Sequence, residues 1–503
     1  MPFGLIRWLR AAIRPAAGSA AVAAALWVGA AHAKDIAVTP VPGAPTIHIG
    51  AYDIGELGYA AEEFFVAGEA TSYATPGPLA PDGRWQAAPA GHAAYKTRLI
   101  VLRPKDAARF NGTVAVEWLN VSGGLDAPAD WLMAHREFVR EGYAYVMVSA
   151  QKVGVEGGPS LGADMSLKKT NPARYGGLSH PGDAFAYDIF SDAGRLVRRT
   201  GQGAIMGPLV PKRVLAAGES QSAHFMTTYV NAIDPLAKVY DGFLIHSRFA
   251  GAAPLDGRSM MGGQATDMPG AVKFRPDLRV PVLTVITETD LVGAARSGYF
   301  AARQPDTERL RVWEVPGTAH ADNYTVQVAP IDTGSAPLDS IVAAYAPTSS
   351  LMGQKLAKPI NFAPQHHYVV EAAFSSLDRW VRTGRPPAKA PRIQLSDGSP
   401  PALVLDANGL AKGGIRTPWV DVPIARTSGV GNGGNIMASL FGSGEVFDAA
   451  TVARLYPGGK ADYLRRFGSA LDSAIRAGFI LAADRREILE LAAAMYPQAD
   501  LSH

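Results

Sequence analysis

Short runs of apolar, β-branched and aromatic residues recur along the chain and alternate with segments of helical period. Such runs are typical of strands, and the later ones are apolar throughout, as expected when a parallel sheet is covered on both faces. The alternation predicts an α/β fold with a mostly parallel central sheet flanked by helices. The predicted strands are Glu62–Val66, Tyr95–Leu102, Thr113–Leu119, Ala144–Ser149, Arg213–Ala217, Gly242–Ser247, Val282–Thr287 and Leu310–Val315.

Two segments carry the apolar spacing of a helix most clearly. One is Trp131–Arg140, and the other is His366–Gly384, whose apolar residues recur on one helical face. Gly384, followed by two prolines, is a natural end for the second helix. We expect this helix to pack on the sheet.

The order of elements suggests how the chain is divided. Residues 34–110 should supply the N-terminal strands of the sheet, and residues 111–395 the catalytic core. Within that core, residues 321–365 hold several prolines and little periodicity, which predicts a loop-rich, lid-like insertion. Residues 396–503 should form a C-terminal helical subdomain.

The C-terminal subdomain should begin with a short strand at Ala402–Leu405 and end in a helical tail over Asp448–Tyr496. Asp484 could cap the last helix of this tail. Between them, Gly429–Gly434 matches a dinucleotide-binding fingerprint letter by letter. Because no βαβ unit surrounds the match, we interpret it as a flexible loop.

The N-terminal segment has the order of a secretory signal peptide. A basic stretch is followed by an apolar run from about Ala16 to Gly29 and then by Ala31-His32-Ala33. The apolar run is shorter than the roughly 20 residues needed to span a bilayer, which favours a cleaved peptide over a membrane anchor. We predict that residues 1–33 are a signal peptide, so that the mature protein is periplasmic or secreted.

Charge and composition exclude several kinds of partner and site. The formal net charge is +3 and the basic residues are scattered, so we expect no nucleic-acid partner and no membrane binding after signal cleavage. The chain has no cysteine, which excludes disulfides, thiolate metal sites and a cysteine nucleophile. It also lacks the P-loop and His-Glu-x-x-His motifs, and we expect no cofactor and no metal.

One turn has the features of a catalytic nucleophile. The segment Arg213–Met226 combines a short apolar strand, the turn Gly218-Glu219-Ser220-Gln221-Ser222 and an amphipathic helix. A nucleophile elbow needs this context, because its serine occupies a strained turn where only small neighbours fit and its hydroxyl projects above the sheet. We therefore predict Ser220 as the nucleophile. The alternative is an ordinary helix start capped by a serine.

A serine nucleophile needs a base, and the base needs an acid to orient it. After a turn of this kind the partners follow in the order acid, then histidine. Val282–Thr287 leads into Glu288 and Asp290, and Leu310–Val315 leads into His320. Because active sites of open α/β sheets lie at the carboxyl ends of strands, we predict Asp290 and His320, with Glu288 as the alternative acid.

Other polar residues are candidates for the pocket. His246 ends a predicted strand and could line the pocket together with Glu219. Arg248 could meet a substrate carboxylate or form an ordinary surface ion pair. The loop that contains His180 could shape the pocket floor or merely hold a turn. Histidines that compete with His320 for the role of base are His180, His246, His366 and His367.

Attack on a carbonyl group creates an oxyanion, which needs preorganised donors. One donor should be the backbone N–H of Gln221, directly after the nucleophile. The second should come from the glycine-containing loop Asn120–Gly124, with Asn120 and Val121 as candidates. The alternative for this loop is a plain glycine-rich turn.

Several segments spread over most of the mature chain carry a resemblance to one known group. They are Val116–Gly124, Leu178–Asp183, Asp188–Ser191, Gly218–Ser222, Thr287–Asp290, Gly317–His320 and Asp378–Gly384. On these segments the chain resembles the α/β-hydrolase superfamily and, more narrowly, the bacterial secreted proteins called alpha/beta hydrolase domain-containing proteins. The resemblance implies the α/β-hydrolase fold and a serine hydrolase in which Ser220, Asp290 and His320 match the triad. It departs from the commonest pattern at Ser222, which replaces a glycine, and in lacking a His-Gly-Gly-Gly oxyanion loop.

Residues and resemblance together predict an exported serine hydrolase that cleaves a small-molecule carboxylic ester through an acyl-enzyme intermediate. An amidase, peptidase or lactonase that uses the same triad stays open. So does a function of another class, a catalytically inert binding protein on a hydrolase scaffold. The sequence leaves the acyl group and the oligomeric state open.

Overall fold

The computed structural model describes residues 35–259, 268–294 and 296–497. The predicted signal peptide, residues 1–33, lies outside the described residues. Among the described residues the central sheet has nine strands. They are β1 (Ala37–Val41), β2 (Tyr59–Ala74), β3 (Ala88–Pro104), β4 (Thr113–Trp118), β5 (Ala144–Val148), β6 (Arg213–Glu219), β7 (Gly242–His246), β8 (Val282–Thr287) and β9 (Leu310–Val315). Two small hairpins lie outside this sheet and consist of β10 (Ser350–Leu351) with β11 (Gln354–Lys355), and β12 (Ala425–Ser428) with β13 (Ser443–Val446).

The strands are ordered β1-β2-β3-β5-β4-β6-β7-β8-β9 across the sheet. The pairs from β1 to β3, and β3 with β5, are antiparallel, whereas every pair from β5 to β9 is parallel. The predicted α/β-hydrolase fold with a mostly parallel sheet is confirmed. Because β6, β8 and β9 run in the same direction, the residues that follow them meet at one edge of the sheet.

Helices cover both faces of the sheet and continue into the C-terminal region. The α-helices are α1 (Ala129–Glu141), α2 (Lys152–Glu156), α3 (Leu167–Thr170), α4 (Pro172–Tyr175), α5 (Ala186–Val197), α6 (Gln221–Thr228), α7 (Asp234–Ala237), α8 (Glu288–Val292), α9 (Leu338–Ala344), α10 (Gln365–Thr383), α11 (Pro418–Asp421), α12 (Ile436–Leu440), α13 (Ala449–Leu455), α14 (Gly459–Ala477) and α15 (Arg485–Met495). Short 3-10 helices occur at Ala107–Arg109, Asp183–Phe185, Tyr299–Ala302 and Ala482–Asp484, and π-helical turns at Tyr229–Ile233 and Tyr324–Val328. Among the described residues no helix combines the length and apolarity needed to cross a membrane.

Helices α1 and α10 pack on one face of the sheet, and α5 and α6 on the other. The ring of Phe138 in α1 meets that of Phe374 in α10 edge to face, with their centroids 4.7 Å apart. Helix α1 ends at Gly142, whose φ is 70° and where a Cβ atom would lie 1.9 Å from the carbonyl oxygen of Arg109, so only glycine fits. The predicted helix at His366–Gly384 is confirmed as α10, which ends with Gly384 in the left-handed conformation.

The sequence-based strands are too short in the N-terminal region. Strand β1 was not predicted, and β2 and β3 extend well beyond Glu62–Val66 and Tyr95–Leu102. Most of their extra residues are half-buried or exposed, since an antiparallel ribbon near a sheet edge keeps one face in solvent. A search for continuous apolar runs misses such residues.

The predicted helical tail over Asp448–Tyr496 consists of the three helices α13 to α15. Two other details of the predicted C-terminal region are wrong. Ala402–Leu405 forms only isolated bridges instead of a strand. The side chain of Asp484 does not cap α15; its Oδ1 accepts a hydrogen bond from Arg140 Nη1 at 2.7 Å. Asp484 ends a 3-10 helix and has a helical backbone, with φ and ψ of −87° and −8°, whereas a capping residue is typically extended. The domain boundaries at 110/111 and 395/396 stay predictions.

Candidate active site

Ser220 occupies a strained turn between β6 and α6. Its φ and ψ are 58° and −116°, and its backbone N–H donates to the carbonyl oxygen of His246 on the neighbouring strand at 3.0 Å. At Gly218 an added Cβ atom would lie 2.8 Å from Met226 Cγ and 3.1 Å from Ser222 Cβ. The turn therefore requires small neighbours, and strain at a single residue is held by the packing around it.

The structure brings Ser220, His320 and Asp290 together in one hydrogen-bonded row. His320 Nε2 lies 2.7 Å from Ser220 Oγ, and His320 Nδ1 lies 2.6 Å from Asp290 Oδ1. Each residue follows the carboxyl end of its own strand, β6, β9 and β8 respectively. A hydroxyl, an imidazole and a carboxylate in this order can activate the hydroxyl for nucleophilic attack.

Asp290 is built to stay ionised. Its Oδ2 accepts hydrogen bonds from the backbone N–H and the hydroxyl of Thr287 at 2.9 and 2.7 Å. Burial raises the pKa of Asp290, but the imidazole of His320 and the Thr287 donors outweigh burial and hold that pKa below its usual value. A carboxylate of this kind fixes the ring of His320 with its Nδ1–H toward the acid.

Glu288, the alternative acid, contacts other groups. Its carboxylate accepts from the backbone N–H of Gly317 at 2.6 Å, from that of Gly429 at 2.8 Å and from Ser428 Oγ at 2.8 Å. It therefore joins the turn after β8 to the turn after β9 and to the C-terminal region. Gly429 opens the glycine-rich loop of the sequence analysis, which here connects β12 to the short helix α12.

A cavity of about 210 Å³ opens beside Ser220. Its wall is largely apolar, and the ring of Phe249 in this wall stacks on that of His320 with centroids 5.3 Å apart. Helix α12, beyond the glycine-rich loop, also contributes to the wall. The larger apolar lining residues are Leu132, Met133, Leu161, Phe249, Met437 and Leu440.

Glu219 lies in the cavity wall directly before the nucleophile, as predicted for a pocket residue. Its Oε2 accepts from Asn120 Nδ2 at 3.0 Å, and its Oε1 lies 3.4 Å from His320 Nε2. Burial, together with the charges of Asp130 and Asp290, raises the pKa of Glu219 well above its usual value. The raised pKa of Glu219 weakens its competition with Asp290 for a protonated imidazole of His320.

The three oxyanion candidates differ in how their groups are engaged. Gln221 is the first residue of α6, and its side-chain Nε2 donates to Gln151 Oε1 at 2.9 Å. The backbone N–H of Asn120 donates to the carbonyl oxygen of Ala127 at 3.0 Å. The N–H of Val121 is directed at Gln221 Oε1 over 3.5 Å, which is long for a hydrogen bond. The Val121 amide is therefore more easily redirected than that of Asn120.

Two predicted pocket residues serve the scaffold instead. His180 Nε2 lies 2.8 Å from the Ala150 carbonyl oxygen, and its Nδ1 accepts from the Gly182 N–H at 3.2 Å, so this ring holds a turn. Arg248 is fully buried, which rules out the surface ion pair. Its guanidinium donates to backbone carbonyl groups and lies over the rings of Phe274 and Tyr299, and burial lowers its pKa to about 10.

The competing histidines His246 and His366 do reach the cavity, but they contact each other. Their Nε2 atoms are 2.9 Å apart, and their Nδ1 atoms contact Asp130 and Asp322. His367 stacks on Tyr324, with centroids 3.7 Å apart. Asp130 and Asp322 were not predicted, although Asp322 follows His320 by two residues. Within the described part of the chain, no cluster of three or more His, Asp or Glu side chains is arranged to hold a metal ion.

Comparisons with known proteins point to one family. A family model described as the alpha/beta hydrolase domain matches residues 23–490. No curated protein matches the chain.

Solved structures with a partial likeness include two esterases and a peptidase. Esterase Est22 is 15% identical, with 47% of this chain and 66% of that chain covered and a TM-score of 0.28. A thermostable esterase from Pseudomonas putida is 14% identical, with 48% and 66% covered and a TM-score of 0.25. A prolyl endopeptidase is 13% identical, with 51% and 35% covered and a TM-score of 0.27. At these TM-scores the likeness carries no argument about substrate or mechanism.

Proposed function

Because this chain belongs to the alpha/beta hydrolase domain family, we propose that it is a serine hydrolase that cleaves small-molecule carboxylic esters. The observation that carries the proposal is the row Asp290–His320–Ser220 in the wall of an apolar cavity. Distances of 2.6 and 2.7 Å are within the range of working hydrogen bonds for proton transfer. In the first half-reaction Ser220 Oγ attacks the carbonyl carbon while His320 Nε2 takes the hydroxyl proton.

The negative charge that forms on the carbonyl oxygen is stabilised by backbone amides. The N–H of Gln221 supplies one donor, since it directly follows the nucleophile at the start of α6. The N–H of Val121 supplies the second after turning from the side chain of Gln221. Asp290 stabilises the imidazolium form of His320 during this step.

Collapse of the tetrahedral intermediate completes the acylation. His320 gives its proton to the departing alkoxide, which leaves as an alcohol, and Ser220 carries the acyl group. Water then attacks the acyl-enzyme with His320 as base, and the carboxylic acid leaves with Ser220 regenerated. Besides the ester and water, the proposed steps use side chains and backbone groups of this chain.

The cavity favours a small ester with an apolar acyl group. Its volume of about 210 Å³ is below the roughly 300–1,000 Å³ of sites for drug-sized molecules. Leu132, Met133 and Leu161 offer contact area to hydrocarbon rather than hydrogen bonds. A medium-length aliphatic acyl chain should therefore give a higher kcat/KM than a charged or sugar-like group.

Paired substrates test the reaction type. We expect p-nitrophenyl esters with aliphatic acyl groups to be hydrolysed, p-nitroanilides with the same acyl groups to react far more slowly, and Ser220→Ala to remove both activities. Turnover of the anilides at the ester rate would replace the esterase proposal by an amidase. Binding of the esters without turnover would favour an inert scaffold.

We also propose that the protein is exported. The support is the signal-like order of residues 1–33. Expression of the full chain in a Gram-negative host should give mature protein that begins at Lys34 in the periplasm or medium. An intact N-terminus in the cytoplasm would contradict export.

A further inference from the structure

Four buried side chains that the proposed reaction does not use form a continuous chain beside the cavity. Asp130 Oδ1 lies 3.0 Å from His246 Nδ1, His246 Nε2 lies 2.9 Å from His366 Nε2, and His366 Nδ1 lies 3.2 Å from Asp322 Oδ2. None of the four residues is more than 1% exposed. They come from the start of α1, the end of β7, the start of α10 and the segment after β9.

Each of the three contacts needs one hydrogen, so the chain must hold three protons. Two neutral imidazoles bring two of them, and a third proton must reside on one of the four groups. The two nitrogens of the central contact are at hydrogen-bond distance. The coordinating nitrogen atoms of two imidazole ligands on one tetrahedral zinc ion would lie about 3.3 Å apart. The distance of 2.9 Å therefore fits a direct hydrogen bond better than a shared metal ion.

The hydrogen-bond partners of the two carboxyl groups indicate where the third proton resides. Both oxygens of Asp322 are engaged, since Oδ1 accepts from the N–H and hydroxyl of Thr325, both at 3.1 Å, and Oδ2 contacts His366. Among the described residues, Asp130 Oδ2 has no hydrogen-bond partner. A carboxyl group with so few donors is the one that best carries a proton, and burial raises the pKa of Asp130 although His366 opposes the shift. We therefore assign the third proton to Asp130.

This placement orders all three hydrogen bonds. The Asp130 hydroxyl donates to His246 Nδ1, His246 Nε2–H donates to His366 Nε2, and His366 Nδ1–H donates to Asp322. Proton loss from Asp130 leaves two protons for three contacts, so that lone pairs face each other in one of them.

The row of four hydrogen-bonded side chains is joined to the nucleophile through His246. The carbonyl oxygen of His246 accepts the Ser220 N–H at 3.0 Å, and His246 pairs with Glu219 in the register of β6 and β7. The rings of His246 and His366 also line the cavity that Ser220 faces. A shift of His246 would therefore be transmitted directly to the strained backbone of Ser220.

We propose that Asp130, His246, His366 and Asp322 form a proton-sharing chain whose three hydrogen bonds position Ser220 and the cavity wall, and that proton loss from Asp130 disables this positioning. The proposal rests on the proposed serine mechanism for its effect on turnover. His246 and His366 are positioning residues and not acid–base catalysts, because their ring nitrogens are already engaged with one another and with the two aspartates.

Other titratable groups face this chain and must be separated from it by experiment. Glu117 on β4 accepts the Asp130 N–H at 2.7 Å, and Tyr145 on β5 donates to the same glutamate at 2.8 Å. Asp290 and His320 of the active site influence His246 electrostatically, and Asp130 influences Glu219. Loss of a proton from Glu117 or Glu219 could also lower activity at high pH.

The variant Asp130→Asn distinguishes proton loss from Asp130 from proton loss at the other groups. Its amide N–H donates to His246 Nδ1 as the protonated acid does, but it cannot lose its proton. In the wild type we expect kcat to fall about 10-fold or more on the alkaline side. In Asp130→Asn we expect kcat at pH 7 within about threefold of wild type and no such fall. An alkaline fall that is absent in wild type, or unchanged in Asp130→Asn, would overturn the proposal.

His366→Asn and His367→Asn form a matched pair, since the two neighbours on α10 are equally buried and only His366 belongs to the chain. We expect His366→Asn to lower kcat by about 10- to 100-fold with little change in KM, as misplacement of reacting groups does. His367→Asn should leave kcat within about threefold. If kcat fell equally in both variants and their thermal unfolding midpoints were equal, the four side chains would have only a packing role, and the proposal would be overturned.

The order of the protons can be measured without turnover. In 15N-histidine-labelled protein at pH 7, His246 should carry its proton on Nε2 and His366 on Nδ1, with assignments from the His246→Asn and His366→Asn variants. The same tautomer at both rings would contradict the proposal. If wild-type Ser220 proves unreactive, the proposed function fails, while the tautomers still decide whether the chain exists.

Discussion

Two Asp–His pairs face the same cavity and have different surroundings. In both, the aspartate contacts Nδ1, at 2.6 Å for Asp290 with His320 and at 3.0 Å for Asp130 with His246. The Nε2 atom of His320 meets the hydroxyl of Ser220, whereas that of His246 meets another imidazole. One pair can pass a proton to and from a reacting group, and the other can only share it internally.

The difference begins at the carboxyl groups. Asp290 receives two hydrogen bonds from Thr287 in addition to that from His320, and its pKa is lowered despite burial. Among the described residues, Asp130 has no comparable donors to its carboxyl oxygens, and burial raises its pKa. In our two proposals the same pair of residue types acts either through an ionised orienting acid or through a proton donor, and the other groups that contact the carboxyl group decide between them.

The largest expected effect is the loss of kcat on substitution of Asp290, compared with the same substitution at Asp130. Asp290→Asn should lower kcat by about 10³- to 10⁴-fold, because an amide can hold His320 in the wrong tautomer and does not stabilise the imidazolium. Asp130→Asn should lower kcat at pH 7 by less than about threefold. Steady-state kinetics on one aryl ester, with thermal unfolding as a folding control, measures both. Similar losses in the two variants would contradict the division of roles.

A smaller effect, on stability and not on kcat, is expected for Glu288 and tests whether Asp290 is the orienting acid. Glu288→Gln keeps the shape of the side chain but weakens its bonds to Gly317 and Gly429. We expect the free energy of unfolding to fall by about 1–3 kcal/mol, with kcat changed less than about threefold. Chemical denaturation and ester turnover of the same preparation test this. A kcat loss on the scale of Asp290→Asn would instead make Glu288 the orienting acid.

The smallest effect concerns Ser222, which stands where the resemblance expects glycine. Its hydroxyl is buried and, among the described residues, has no hydrogen-bond partner. Ser222→Ala should leave kcat unchanged and leave the free energy of unfolding unchanged or raise it by up to about 1 kcal/mol. Marked destabilisation would show that the hydroxyl has a role that its contacts do not reveal.

Much of the site could be predicted because its residues follow short strands in which apolar residues predominate. Strands β6, β8 and β9 are of this kind, and parallel strands bring the residues after them to one edge of the sheet. The sequence favoured Asp290 but left Glu288 open as the acid, since both lie on one turn and their side-chain directions cannot be read from the sequence.

The Asp130–His246–His366–Asp322 chain was beyond prediction for another reason. His246 lies 116 residues from Asp130 and 120 residues from His366, so no local pattern relates them. The helical C-terminal tail, by contrast, could be predicted because its signals are local. Pro457 and Gly458 lie between α13 and α14, and Gly478 ends α14 in the left-handed conformation.

The central claim is that Ser220 is a nucleophile activated by His320. A fluorophosphonate probe reacts with such a serine, and peptide mass spectrometry locates the label. We expect one label on Ser220 in folded wild-type protein and none at that position in Ser220→Ala. Ester turnover should be lost in this variant. A folded wild-type protein that hydrolyses esters while Ser220 stays unlabelled would contradict it.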